Sequence, residues 1–148
     1  MNKLLKMVYN TIFIIGISLL LIYFSLRLIG VAEIYKVKTG SMEDGIHVGD
    51  YILIYKKKDY KLKEIVTYKK DNYYVTHRIV KKNGNKFVTK GDANNIEDEE
   101  IELKSIVGKV IYSGGMLNIL IDYKYAIGSG LLGLYLLSCY FTKDEKSE

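Results

Sequence analysis

Ser41, His77, Asp92 and Asp98 are the residues of this 148-residue chain whose types could carry a reaction together. A serine hydroxyl is a poor nucleophile until a base removes its proton. Histidine is the side chain that titrates near neutral pH. A carboxylate behind it fixes the tautomer and stabilises the imidazolium that forms. The chain holds two histidines. His47 lies in the turn-prone stretch from Gly45 to Gly49, close after Ser41 in sequence. A segment that short does not readily fold back to aim its imidazole at the serine. His77 sits in a strand-like run beside Thr76 and Arg78 and is the better base. Two aspartates follow in Lys90-Gly91-Asp92-Ala93-Asn94-Asn95-Ile96-Glu97-Asp98, and chemistry alone leaves both open as the third group.

These residues need a scaffold, and the chain offers strands between two apolar ends. Tyr51 to Tyr55, Glu64 to Tyr68, Tyr73 to Val80, Lys86 to Lys90 and Ile106 to Tyr112 are β-prone runs. The second and third read as a hairpin joined by Lys69 to Asn72, and Asn83-Gly84 marks another tight turn. Ile96 to Ser105 is acidic and reads as loop, with room for one helical turn. Short strands at this spacing predict a mainly β domain, a small folded sheet or barrel.

Met7 to Leu26 carries no charge, and its 20 residues reach about 30 Å as a helix, the thickness of the hydrocarbon core. It exceeds the apolar core of a cleaved signal peptide, about 7 to 15 residues, so an uncleaved anchor is expected. Tyr125 to Thr142 is a second, shorter apolar run with three glycines. Lys3 and Lys6 flank one end of the chain and Lys143 and Lys146 the other, so both termini are expected in the cytoplasm. The expected organisation is therefore an anchor over residues 1–31, an extracytoplasmic β-rich catalytic domain over 32–113, and a membrane helix with a short tail over 114–148. The protein is expected in the cell membrane, with two spans.

Composition narrows the function further. The single cysteine, Cys139, cannot form an internal disulfide, and no His/Cys cluster has metal-ligand spacing, so no metal or other cofactor is expected. The net charge of +5 is spread thinly, and no basic-aromatic motif accompanies the lysine runs, so nucleic acid is not an expected partner. Lysines on strand ends and turns that face water, or lie near anionic headgroups, account for them better.

Four segments in order resemble type I signal peptidases, specifically the endoplasmic-reticulum, archaeal and sporulation-type branch. Ser41-Met42 matches the nucleophile box, and Val48-Gly49-Asp50-Tyr51-Ile52-Leu53-Ile54 the Gly-Asp-plus-strand segment after it. Thr76-His77-Arg78-Ile79-Val80 matches the His-Arg box, and Thr89-Lys90-Gly91-Asp92-x-Asn94 the Lys-Gly-Asp-Asn box. The resemblance covers roughly Val37 to Ile111. It implies Ser-His-Asp catalysis with Asp98 as the third member and Asp92 as a supporting acid. It also implies an oxyanion hole made by the Ser41 N–H and the Thr39 hydroxyl. The implied activity is removal of signal peptides from secretory precursors after small-x-small sites, with the precursor bound as an extended strand. Val37, Ile46 and Val75 flank the nucleophile and base and are the expected substrate contacts. Two positions depart from the pattern: Asp44 replaces the usual proline of the nucleophile box, and Lys63-Glu64 replaces a frequent Gly-Asp.

Three other readings share these features. A non-catalytic anchored β module of a secretion assembly would keep the strands and anchors without needing serine, histidine and both aspartates. A secreted β protein would be released after Ala32. A self-cleaving protease of related β architecture would be expected to use a lysine base and a DNA-binding domain. The catalytic reading makes a simple prediction. An imidazole base works only when neutral, so activity should fall on acidification through the ordinary histidine range, about pH 6 to 7; a pH–rate profile that stays flat to about pH 4 would rule the imidazole out as base.

Overall fold

The computed structural model describes residues 3–144, and the tail beyond them, including Lys146, lies outside the described residues. The chain divides into two units, Leu26–Asn118 and a second that joins the N-terminal helix to the segment from Ile119 onward.

The first unit is a sheet of seven antiparallel strands, ordered β1-β2-β7-β3-β4-β5-β6. The strands are β1 (Ala32–Lys36), β2 (Tyr51–Tyr55), β3 (Ile65–Lys70), β4 (Tyr73–Asn83), β5 (Lys86–Lys90), β6 (Ile101–Glu102) and β7 (Ile106–Ser113). Alternation explains them: Ile52 and Ile54 of β2 are buried on one face, and Val66 and Tyr68 of β3 on another. Two apolar clusters result. Met42, Ile46, Ile52 and Ile54 form one. Tyr60, Val66, Tyr68, Ile79, Phe87 and Ile106 form the other.

Register shifts interrupt the β2–β7, β3–β7 and β4–β5 ladders. Such bulges bend strands and increase their twist. The sheet curls enough that Tyr35 of β1 meets Tyr74 of β4, four places away in strand order, with ring centroids 4.8 Å apart. Besides β6 at the far end of the order, two stretches have an open edge. β1 ends the sheet, and Tyr73–His77 of β4 pairs only with β3, because pairing to β5 begins at Arg78.

The expected strands are present, with differences at their margins. β1 and β6 went unforeseen, and the acidic stretch before β7 holds β6 and a 3₁₀ turn over Leu103–Ser105. The β3–β4 connection is tighter than expected, since Lys70 pairs with Tyr73 and Asp71 takes the left-handed φ of 51°. In the second unit, α1 (Lys3–Leu28) includes Asn10–Leu28, an exposed segment long and apolar enough to cross a membrane. α2 (Gly115–Asp122), also unforeseen, leads to α3 (Lys124–Asp144). Phe13 of α1 stacks on Tyr135 of α3 at 5.4 Å. The expected span from Tyr125 to Thr142 falls on α3, several of whose side chains lie outside the described residues.

Both departures from the sequence pattern sit at left-handed backbone. Lys63 has φ +69° and Asp44 φ +82°. The Lys63 conformation aims its carbonyl at Arg78, whose Nη1 donates to it at 2.9 Å. Glu64 accepts from Lys57 (2.7 Å), Lys109 (3.2 Å) and the Lys61 N–H (2.9 Å). Burial opposes the charge on Glu64, yet these bonds hold its carboxyl below the usual range. Lys63→Gly should therefore stabilise the fold by up to about 1 kcal/mol, since glycine takes this φ without a Cβ clash. Asp44→Pro should cost about 2 kcal/mol or more, because proline fixes φ near −65°. Chemical denaturation of the full chain in detergent, followed by tyrosine circular dichroism, measures both.

Candidate active site

The nucleophile turn is built from the end of β1. Val37 N–H donates to Asp50 O (2.8 Å) and Gly49 N–H to Val37 O (3.0 Å), which pinches the base of the loop between them. Met42 and Ile46 plug it into the core, each 2 % exposed. Asn118 of α2 steadies the return: its Oδ1 accepts from Tyr51 N–H (2.8 Å) and its Nδ2 donates to Asp50 (2.7 Å). That second bond is the main cause holding the Asp50 carboxyl below its ordinary range.

The segment after β5 packs onto this turn. Ala93 N–H donates to Ser41 O at 3.0 Å, and Asp92 N–H to Met42 Sδ at 3.4 Å. Gly91 permits the approach, because a Cβ there would lie 2.5 Å from the Ser41 carbonyl oxygen. The chain then doubles back, and Asp98 N–H donates to Thr89 O at 2.8 Å. This backbone bond lays Asp98 along the edge of β5 that leads into its β6 pairing, and from there the carboxylate reaches His77.

Ser41, His77 and Asp98 come together as a result. His77 Nε2 lies 3.0 Å from Ser41 Oγ, and His77 Nδ1 lies 2.6 Å from Asp98 Oδ2. A carboxylate only accepts, so Nδ1 carries the hydrogen and leaves Nε2 as acceptor toward the hydroxyl. His77 is 6 % exposed and fixed by β-pairing to Val66. Asp98 Oδ2 also accepts from Thr89 Oγ1 (2.7 Å) and Tyr68 OH (3.4 Å). Burial pushes the Tyr68 hydroxyl up to about 12, so it stays protonated as a donor. Neither Thr89 nor Tyr68 was assigned a role from sequence. The inward alternation of β3 points to Tyr68, but the partner of its hydroxyl is set by tertiary packing.

Asp92 is not in that chain. It accepts from Arg78 Nε (2.9 Å) and Nη2 (2.6 Å), a two-pronged ion pair. This bond raises the Arg78 guanidinium above its ordinary value. Arg78 thus ties the Lys63 turn to the Gly91–Asp92 segment. His47 stays apart from the serine, exposed, with Nδ1 3.6 Å from Asp50.

A cleft of about 740 Å³ opens beside Ser41 and His77. Thr39, Val37, Ile46 and Val75 all line it, as do Tyr35 and Tyr74. Its two walls carry the open edges of β1 and β4. The arrangement can activate a hydroxyl beside an open cleft. Asp98→Ala should lower kcat about 10³-fold or more, by the scale of lost third members, and Asp92→Asn much less. Rates from the two variants decide the ranking, and the reverse order would move the orienting role to Asp92.

A search of curated proteins finds no match to the chain. A family model described as Peptidase S24-like matches residues 31–111, more than half of the 148 residues and the whole span from β1 into β7. The chain belongs to the Peptidase S24-like family, of the LexA and signal peptidase superfamily, and its function is of the serine-peptidase type.

Proposed function

We propose that the protein is a membrane-bound signal peptidase that cuts exported precursors after small-x-small sites. The observation that carries this reading is the hydrogen-bonded chain Ser41–His77–Asp98 at the mouth of a cleft between two open strand edges. Ser41 Oγ attacks the scissile carbonyl while His77 Nε2 takes its proton. Asp98 holds the resulting imidazolium. The Ser41 N–H and the Thr39 hydroxyl stabilise the oxyanion, each donor worth a few kcal/mol, about 3 by the scale of other oxyanion holes. The imidazolium then gives its proton to the leaving amine. Water, deprotonated by the same imidazole, releases the acyl group from Ser41.

The precursor lies as an added strand between β1 and β4, where backbone bonds hold it and alternate side chains enter the cleft. Val37, Ile46 and Val75 line the pockets for its small side chains. α1 anchors the enzyme, α3 crosses the membrane a second time, and both termini face the cytoplasm. Enzyme and precursor then share one bilayer, which confines their encounter to two dimensions.

Self-cleavage is a second reading, because the S24-like family includes LexA-like autopeptidases. One experiment separates the two. The full chain is expressed with a precursor bearing an Ala-x-Ala site, and both proteins are followed by intact mass and membrane fractionation. The expected result is a cut precursor and an uncut enzyme in the membrane fraction. Ser41→Ala and His77→Ala should each cut processing at least about 10³-fold without releasing the protein from the membrane. Wild-type rates in His77→Ala would show the base to be wrong. A cut enzyme beside an intact precursor would favour self-cleavage.

A further inference from the structure

The last turn of α1, from Leu26 onward, belongs to the same unit as the sheet. Gly30 N–H donates to Arg27 O and Val31 N–H to Leu26 O, both at 2.9 Å. These are the paired bonds of a Schellman stop, with Gly30 at the left-handed φ of +67° that it requires. The chain then enters the sheet at once. Lys56 N–H donates to Val31 O at 2.7 Å, and Ala32 pairs with Tyr55. All of these residues lie within the unit Leu26–Asn118.

This junction carries an unusual surface. Leu28 and Ile29 are 73 % and 70 % exposed, and Tyr55 is 42 % exposed. Arg27, Lys56 and Lys58 are exposed, and none has an acidic partner among the described residues. Lys57, between two of them, is taken by Glu64 at 2.7 Å. Aliphatic side chains, a tyrosine and free cations at the end of an apolar helix are the residue types of a bilayer interface.

We propose that Arg27, Leu28, Ile29, Tyr55, Lys56 and Lys58 form a collar that docks on the headgroups of anionic phospholipids. The inference rests on the membrane reading above. A bilayer is the favoured source of the negative charge over a free anion, because the cations stand beside exposed apolar side chains that water would not solvate well. The consequence is a limit on reach. Ser41 stands nine positions after Ala32, so the nucleophile stays within about 30 Å of the docked junction. Only precursor bonds emerging near the bilayer surface enter the cleft.

Hydrogen exchange of the full chain in nanodiscs tests the collar without relying on catalysis. One set of discs is phosphatidylcholine alone, and the other adds phosphatidylglycerol. The expected result is several-fold slower exchange across residues 55–59 in the anionic discs at low salt. High salt and the double variant Lys56→Gln, Lys58→Gln should each remove that slowing. Equal exchange in the two kinds of disc overturns the collar and leaves the peptidase reading standing. Slowing by inorganic phosphate in the neutral discs also overturns it, assigning the cations to a free anion. Release of the protein from native membranes by alkaline carbonate overturns the membrane reading, and the collar with it.

Discussion

The 2.6 Å bond between His77 and Asp98 is the constraint around which the catalytic half of the sheet is arranged. It lies where water is scarce, and the groups near it could not be left alone cheaply. Thr89 is fully buried, Tyr68 is 1 % exposed, and both hydroxyls turn to the same carboxylate oxygen. A buried polar group without a partner costs about 1 to 3 kcal/mol. Asp98 therefore satisfies three donors at once while fixing which nitrogen of His77 faces Ser41. Fold stability and the tautomer that chemistry requires are set by one side chain.

The nucleophile reaches this base through backbone, not through side-chain bonds. Gly91 lets the segment after β5 touch the Ser41 carbonyl, and Ala93 N–H seals the contact. Asp98 returns along β5 by the same means, a backbone bond to Thr89. Three segments distant in sequence are thus aligned by main-chain groups whose positions side-chain motion cannot blur. The two departures from the family pattern separate under the same scrutiny. At Lys63 the turn is one that glycine would adopt, kept by a lysine whose carbonyl serves Arg78. At Asp44 the turn is one that proline could not adopt.

Runs of β-branched and aromatic residues bounded by turn signals made the interior strands legible. β1 was not legible. Ala-Glu-Ile-Tyr-Lys lies hard against the apolar helix, and its strand character comes from pairing to β2. β6 is two residues long and has no pattern of its own. Ser41 and His77 stood out by chemistry and context, whereas Asp92 and Asp98 could not be ranked from residue types alone. What distinguishes them is the course of the loop between, which carries one aspartate to Arg78 and the other to His77. Lengths, polarity and turn residues in that acidic stretch are compatible with either outcome. α2 escaped notice because eight residues are too few for a helical period to declare itself.

An open strand edge is ordinarily a hazard, because its unpaired groups invite another chain. Besides β6 at its far end, this sheet has open edges on β1 and on the first half of β4, and both of these border one cleft. The contact of Tyr35 with Tyr74 sets how closely the two walls approach. A neighbouring folded protein would have to fit a whole sheet edge into that space, which the opposite wall obstructs. A lone extended segment meets no such obstruction and can bond to both walls. Under the proposed function, the geometry that limits aggregation also selects unfolded peptide and brings its carbonyls to Ser41 and His77.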